Sequence, residues 1–163
     1  FPGQGSQAPD MGQEVLDAYP VARHMLEEID EALKQNLSKL IAEGPAEELT
    51  LTENAQPALM VVSMAILRVL QTEAGIDLAR TCAFVAGHSL GEYTALVAAL
   101  ALDPAEGARL LKTRGRAMQV AVPVGTGAMA ALIYLEALPS ATPTATPRRM
   151  LSSATARTTP TPD

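Results

Sequence analysis

The chain is short of the residues that build several common kinds of site. Its 163 residues include one cysteine, two histidines, two Phe, three Tyr and no Trp. A single cysteine, Cys82, excludes an intrachain disulfide and a thiolate-rich metal centre, and it suits a reducing compartment. Two histidines are too few for a zinc centre, so no metal is expected. Scarce aromatics leave little for stacking on bases. Lys plus Arg number 12 against 18 Asp plus Glu, a net charge of −6, and such a chain lacks the basic footprint of a nucleic-acid binder. No unbroken apolar run approaches the roughly 18 residues of a membrane span, and no basic-then-apolar leader opens the chain. These absences point to a cytoplasmic domain with neither nucleic acid nor membrane as partner. With 48% hydrophobic residues, the length suits one domain with a real core.

What is present has an uneven distribution. Val21, Met25, Leu26, Ile29 and Leu33 recur at spacings of three and four between acidic residues, which predicts an amphipathic helix. Leu37, Leu40 and Ile41 predict a short turn of helix closed by Gly44-Pro45. A helix is expected over Pro57–Glu73, opened by Asn54 and Pro57 and apolar on nearly every face, hence buried. Cys82–Ala86 predicts a short strand covered on both faces. Helices are expected over Glu92–Ala101 and from Pro104 to about Val122, and a second strand over Ala128–Leu135. From Pro139 to Asp163 the composition turns to five Pro and seven Thr in 25 residues; it cannot bury a core and predicts disorder.

Gly87-x-Ser89-x-Gly91 falls between the predicted strand and helix, the context of a nucleophile elbow. Small residues on either side relieve crowding at a sharp turn, and the serine hydroxyl stands at the carboxyl end of the strand. The next helix aims amide donors at that point, with the Leu90 N–H the natural first oxyanion donor. By composition the pentapeptide arises by chance in roughly one chain in twenty of this length. An activated serine also needs a base. His88 is adjacent at a sharp turn and points elsewhere, while His24 lies among Glu and Met on the first amphipathic helix. The residues alone supply a nucleophile without its base.

Five segments in order resemble the malonyl-CoA:acyl carrier protein transacylases. They are Phe1-Pro2-Gly3-Gln4-Gly5-Ser6-Gln7, Asn54-Ala55-Gln56-Pro57-Ala58, Gly87-His88-Ser89-Leu90-Gly91-Glu92-Tyr93, Arg114-Gly115-Arg116-Ala117-Met118-Gln119 and Gly125-Thr126-Gly127-Ala128-Met129-Ala130. The resemblance covers residues 1 to about 133. It implies that Ser89 takes malonyl from malonyl-CoA as an ester and passes it to the phosphopantetheine thiol of acyl carrier protein, with no bound cofactor. It further implies a second oxyanion donor in the backbone amide of Gln4, opposite Leu90. Arg114 would grip the malonyl carboxylate, and Gln56 and His88 would line the substrate pocket. The implied fold is α/β: an α/β-hydrolase-like core, a parallel sheet flanked by helices, carrying a ferredoxin-like subdomain. Only the front of that core and the start of the subdomain are expected here, since the family's catalytic histidine lies further downstream.

Two domain segments follow: 1–133 as the N-terminal part of the acyltransferase domain, and 134–163 as a tail, disordered or read from a shifted frame. The frame-shift expectation is checked by reading the nucleotide sequence beyond Ile133 in the other two frames. Three further readings stay open: a polyketide synthase acyltransferase domain, an inactive fragment that at most binds carrier protein, for which Arg109, Lys112, Arg114 and Arg116 make one local basic cluster on a chain with no broad basic surface, and a serine esterase. The last explains Ser89 but neither Arg114 nor the Gln4 loop. A partly uncovered apolar helix predicts poor solubility.

Overall fold

The computed structural model describes residues 1–123 and the backbone of 153–157. Eight helices and two strands lie in these residues. Helix α1 (Gln13–Ala18) leads into α2 (Pro20–Leu33), which carries the predicted stripe: Ala22, Met25, Leu26 and Ile29 are buried, and proline stands at its start. Arg23 joins the two, donating to the carbonyls of Leu16 and Asp17 at 2.7 and 2.9 Å. Helix α3 (Leu37–Glu43) opens on an Asn36 cap and on Asp30, whose carboxylate accepts the amides of Leu37 and Ser38 at 2.8 and 3.0 Å. The short α4 (Ala46–Thr50) precedes α5 (Thr52–Glu73).

Helix α5 begins five residues before the expected Pro57. Pro57 sits inside it and is buried. Its missing N–H leaves the carbonyl four residues back, that of Glu53, without its helical donor. The early start brings Thr52, Glu53 and Asn54 into the first turn, where they meet another helix. By length and composition α5 could cross a membrane, but 67% of its apolar window is buried within the fold. It is a core helix, packed along α2 and along α8 (Pro104–Ala121). Among its large apolar residues only Ile66 and Leu70, one turn apart, remain exposed.

After α6 (Leu78–Thr81), strand β1 spans Phe84–His88, two residues later than expected. Its burial alternates, with Val85 and Gly87 buried and Phe84, Ala86 and His88 exposed. The expectation of cover on both faces is therefore corrected. One face packs on α7 (Gly91–Ala98), and among the described residues the other face is open. Alternation of this kind is the mark of a strand with one covered face.

The sheet also departs from expectation. Strand β2 (Ser153–Arg157) lies within the stretch for which no element was predicted, and it pairs with β1 antiparallel, from Phe84 opposite Arg157 to His88 opposite Ser153. It satisfies backbone groups on one edge of β1, which an unpaired strand would leave open. On the other edge Phe1 N donates to Ala86 O at 2.7 Å and His88 N donates to Phe1 O at 3.1 Å. Two bonds straddling Gly87 in this way follow the parallel pattern. The strand predicted over Ala128–Leu135 lies outside the described residues, as does most of 134–163.

Candidate active site

The turn after β1 is built by glycines. A Cβ on Gly87 would lie 1.8 Å from Gly91 O, and one on Gly91 would lie 2.5 Å from Phe1 O. Neither position has room for a side chain, so strand, helix and N-terminal segment close tightly around Ser89. Ser89 itself has φ 55°, the left-handed region that side chains other than glycine rarely enter. Such strain at a turn from strand to helix makes Ser89 a candidate functional residue, because surrounding packing must hold it. Leu90 is buried (1% exposed) and caps α7 without a side-chain cap bond. Helical bonds begin with Glu92 N to Ser89 O and Tyr93 N to Leu90 O. The amides of Leu90 and Gly91 thus precede the first helical bond, as amides at a helix start do.

Ser89 Oγ is half-buried and accepts a hydrogen bond from Arg114 Nη2 at 3.1 Å. Arg114 stands on α8, and its Nη1 donates to Gln56 Oε1 on α5 at 2.7 Å. Gln56 is fully buried (0% exposed), and its Nε2 donates to Met118 Sδ at 3.3 Å. The Tyr93 ring of α7 lies 6.0 Å from Arg114 Cζ, at the outer reach of cation–π attraction. Three residues separated by up to 58 positions thus converge at the turn: Ser89, Arg114 and Gln56.

The other expected residues are placed less directly. Gln4 follows the segment that packs on Gly91, and its side chain donates to Thr52 Oγ1 at 3.1 Å. His88 is exposed, and a Cβ on Gly3 would come within 2.3 Å of its Nδ1, so its ring lies over Gly3. His24 is exposed on α2. Neither histidine hydrogen-bonds Ser89 among the described residues. No group of three or more His, Cys, Asp or Glu that could hold a metal occurs among them either.

The basic run on α8 does not form one surface. Lys112 is buried and donates to Asn54 Oδ1 at 2.7 Å, with Glu53 at 3.2 Å. Arg116 meets the same Glu53 carboxylate at 2.9 Å. Arg109 Nε donates to Ala32 O at 3.2 Å. The hydrogen bond from Arg116, then the bond and charge of Lys112, hold the Glu53 carboxyl below its ordinary pKa against the opposing effect of burial. Sequence reasoning missed Glu53. Its signal, an acid one turn before Gln56, is visible only once α5 starts at Thr52.

Comparison with known proteins bears on this arrangement. The acyl transferase domain family model matches residues 1–152. A malonyl CoA-acyl carrier protein transacylase of Bacillus subtilis (strain 168) is 52% identical over 137 residues, 84% of this chain and 42% of the relative. One of Escherichia coli (strain K12) is 48% identical over 136 residues, 83% of this chain and 43% of the relative. The chain spans about two fifths of the length of these relatives. Among solved structures, an acyl-carrier-protein-S-malonyltransferase from Bartonella henselae superposes with a TM-score of 0.73 at 54% identity, over 77% of this chain and 40% of the other. A complex of a type II PKS acyl-carrier protein with its malonyl-transacylase superposes at 0.70 and 44% identity, over 76% of this chain and 38% of the other.

Proposed function

The chain belongs to the acyl transferase domain family, and from that premise we propose that its site serves transfer of malonyl from malonyl-CoA to the phosphopantetheine thiol of acyl carrier protein. One observation carries the reading: a guanidinium lies 3.1 Å from the hydroxyl of a serine at a strained strand-to-helix turn. A simple esterase has no use for a fixed cation there. An acyl donor with a second, free carboxylate does, since a planar fork can take that carboxylate in two parallel bonds.

In this reading Ser89 Oγ attacks the thioester carbonyl and forms the ester bond. Its proton leaves to a base, and the coenzyme A thiolate departs. The resemblance assigns that base to a downstream histidine of the family. The carbonyl oxygen, charged as the bond forms, meets the Leu90 amide at the head of α7, where unbonded N–H groups and the helix dipole favour an anion. Gln4 N would supply the second donor. Arg114, steadied by Gln56, takes the malonyl carboxylate, which sits two bonds beyond the ester carbonyl carbon. His88 contributes an exposed edge to the pocket. The carrier thiol then attacks the same carbonyl, and Ser89 leaves with its proton restored. No bound cofactor enters the scheme.

The fold belonging to this reading is an α/β-hydrolase-like core with a parallel sheet, of which the Phe1–Gly87 pairing supplies the parallel neighbour of β1, and the start of a ferredoxin-like subdomain. Residues 1–133 form the acyltransferase part and 134–163 the tail. A cytoplasmic setting accompanies it. The polyketide alternative shares this chemistry up to the identity of the carrier.

The test is mass analysis of peptides after incubation with malonyl-CoA. Malonyl on the Ser89 peptide, absent in Ser89→Ala, is the expected result. No adduct on either protein overturns the reading for this chain and leaves a fragment that at most binds carrier.

A further inference from the structure

Helix α8 is held to α5 at two flanks. On one, Gln56 Oε1 accepts from Arg114 at 2.7 Å. On the other, the Glu53 carboxylate takes Lys112 at 3.2 Å and Arg116 at 2.9 Å. Glu53 and Gln56 are three residues apart, one turn of α5, so the two grips lie side by side. Between them the backbones touch: a Cβ on Gly115 would lie 2.6 Å from Glu53 Cα and Thr52 O. A roll of α8 about its own axis is the rigid-body motion that these two flanking grips oppose. Arg114 projects from α8 on the flank away from Lys112 and Arg116, about 160° to 200° round the helix at 100° per residue. Any roll therefore moves Arg114 as it moves them.

We propose that Glu53 is a positioning residue for Arg114: by anchoring Lys112 and Arg116 it fixes the roll of α8 and with it the place of the guanidinium at Ser89 Oγ. The lever is short. A roll of about 10° displaces a side-chain head 5–6 Å from the axis by about 1 Å, and a misplacement of that size can cost about a hundredfold in rate. Lys112 is the inner arm, 11% exposed in its side chain, and Asn54 holds it from the same turn of α5 at 2.7 Å. Asn54 is itself fixed by Gln35 at 3.0 Å and by the Glu48 carbonyl at 2.9 Å. The anchor is thus tied to the turn after α2 and to α4, and does not travel with α8. The inference rests on reading Arg114 as the carboxylate-binding group.

The experiment measures reaction of individual arginines with phenylglyoxal by peptide mass analysis, in the full chain and in Glu53→Gln. Arg80, paired with Asp77 and 78% exposed in its side chain, is the internal reference. Losing a charge-assisted anchor should raise the Arg114 rate about tenfold and leave Arg80 and the far-UV circular dichroism unchanged. An unchanged Arg114 rate, or a rise shared equally by Arg80, overturns the proposal. Should Glu53→Gln fail to fold, Arg116→Gln removes one arm only and should raise the Arg114 rate by about threefold; no rise there overturns it equally. A second measurement compares labelling of Ser89 by malonyl-CoA and acetyl-CoA. In Glu53→Gln the preference for malonyl should fall toward that of Arg114→Ala, and a retained preference counts against the anchor. If the unaltered chain is labelled by neither donor, the proposed function fails, and the arginine rates still decide the role of Glu53.

Discussion

Under the proposed function, selectivity at this site would turn on single side chains with few alternatives. Arg114 spends one nitrogen on Gln56 and one on Ser89, and a free carboxylate would compete for the second. Replacing Arg114 by Ala should lower labelling of Ser89 by malonyl-CoA far more than labelling by acetyl-CoA, since hydrogen bonds to charged groups contribute about 1.5–3 kcal/mol each. An unchanged ratio of the two labels would refute its role. Gln56 is the only other polar group bonded to that guanidinium among the described residues, and it is wholly buried. Gln56→Leu keeps the volume but strands one guanidinium donor. It should weaken malonyl selectivity in the same direction while costing the fold about 1–3 kcal/mol, measured by urea titration. If Gln56 were merely core, stability would fall and the acyl ratio would stay. At this scale the sequence was most legible where chemistry constrains neighbours along the chain. Gly87, Ser89 and Gly91 announce their turn because two Cβ atoms would collide there. The pairing of Arg114 with Gln56 has no such local signal: the resemblance pointed to each residue separately, and the bond between them appears only in the fold.

Elements were legible where burial has a period, as in α2, and where proline opens a helix, as at Pro104 of α8, where the structure adds an Asp103 cap. They were misread where a local rule met tertiary packing. Pro57 suggested a helix start, but five buried or half-buried residues before it are helical, because packing on α8 outweighs one lost backbone bond. That error hid Glu53, which on the expected boundaries lay in a loop. The four basic residues from Arg109 to Arg116 looked like one patch for the same reason: without the partner helix, periodicity shows which faces differ but not what each face meets. The contact of α5 with α8 is close enough to test directly. At Gly115 an added methyl would meet Thr52 O and Glu53 Cα at 2.6 Å, both backbone atoms that cannot swing aside. Helix propensity favours Ala by about 1 kcal/mol, and overpacking costs about 1–3 kcal/mol. Gly115→Ala should therefore be destabilising on balance, with a lower Tm by calorimetry, and it should reduce Ser89 labelling. A rise in Tm would show that the two helices can separate without cost.

The molecule as a whole is organised around α5, which touches α2, α3, α4, α7 and α8, so its charged contact with α8 should register in global stability. The Glu53 carboxylate lies in that contact, and its pKa is lowered by the facing cations, Arg116 and Lys112 of α8. A carboxyl depressed in the folded state binds protons less readily than in the unfolded chain. Its contribution is thus fully present above the ordinary carboxylate pKa and is lost as pH falls through the lowered one. The Arg116 bond depresses the carboxyl most, but that arm is 65% exposed and water screens its energy, whereas the Lys112 arm is 11% exposed. Together about 1–2 kcal/mol is expected near neutral pH. The chain holds other acids, so the informative quantity is the difference between the unaltered chain and Glu53→Gln, from urea titrations at several pH values. The difference should be largest near pH 7 and shrink steadily below about pH 4.5, the ordinary value for this group. Added salt should erode only part of it, because the inner arm is shielded. A difference that stays constant with pH would mean that the carboxylate charge does not join the two helices, and that packing at Gly115 holds them alone.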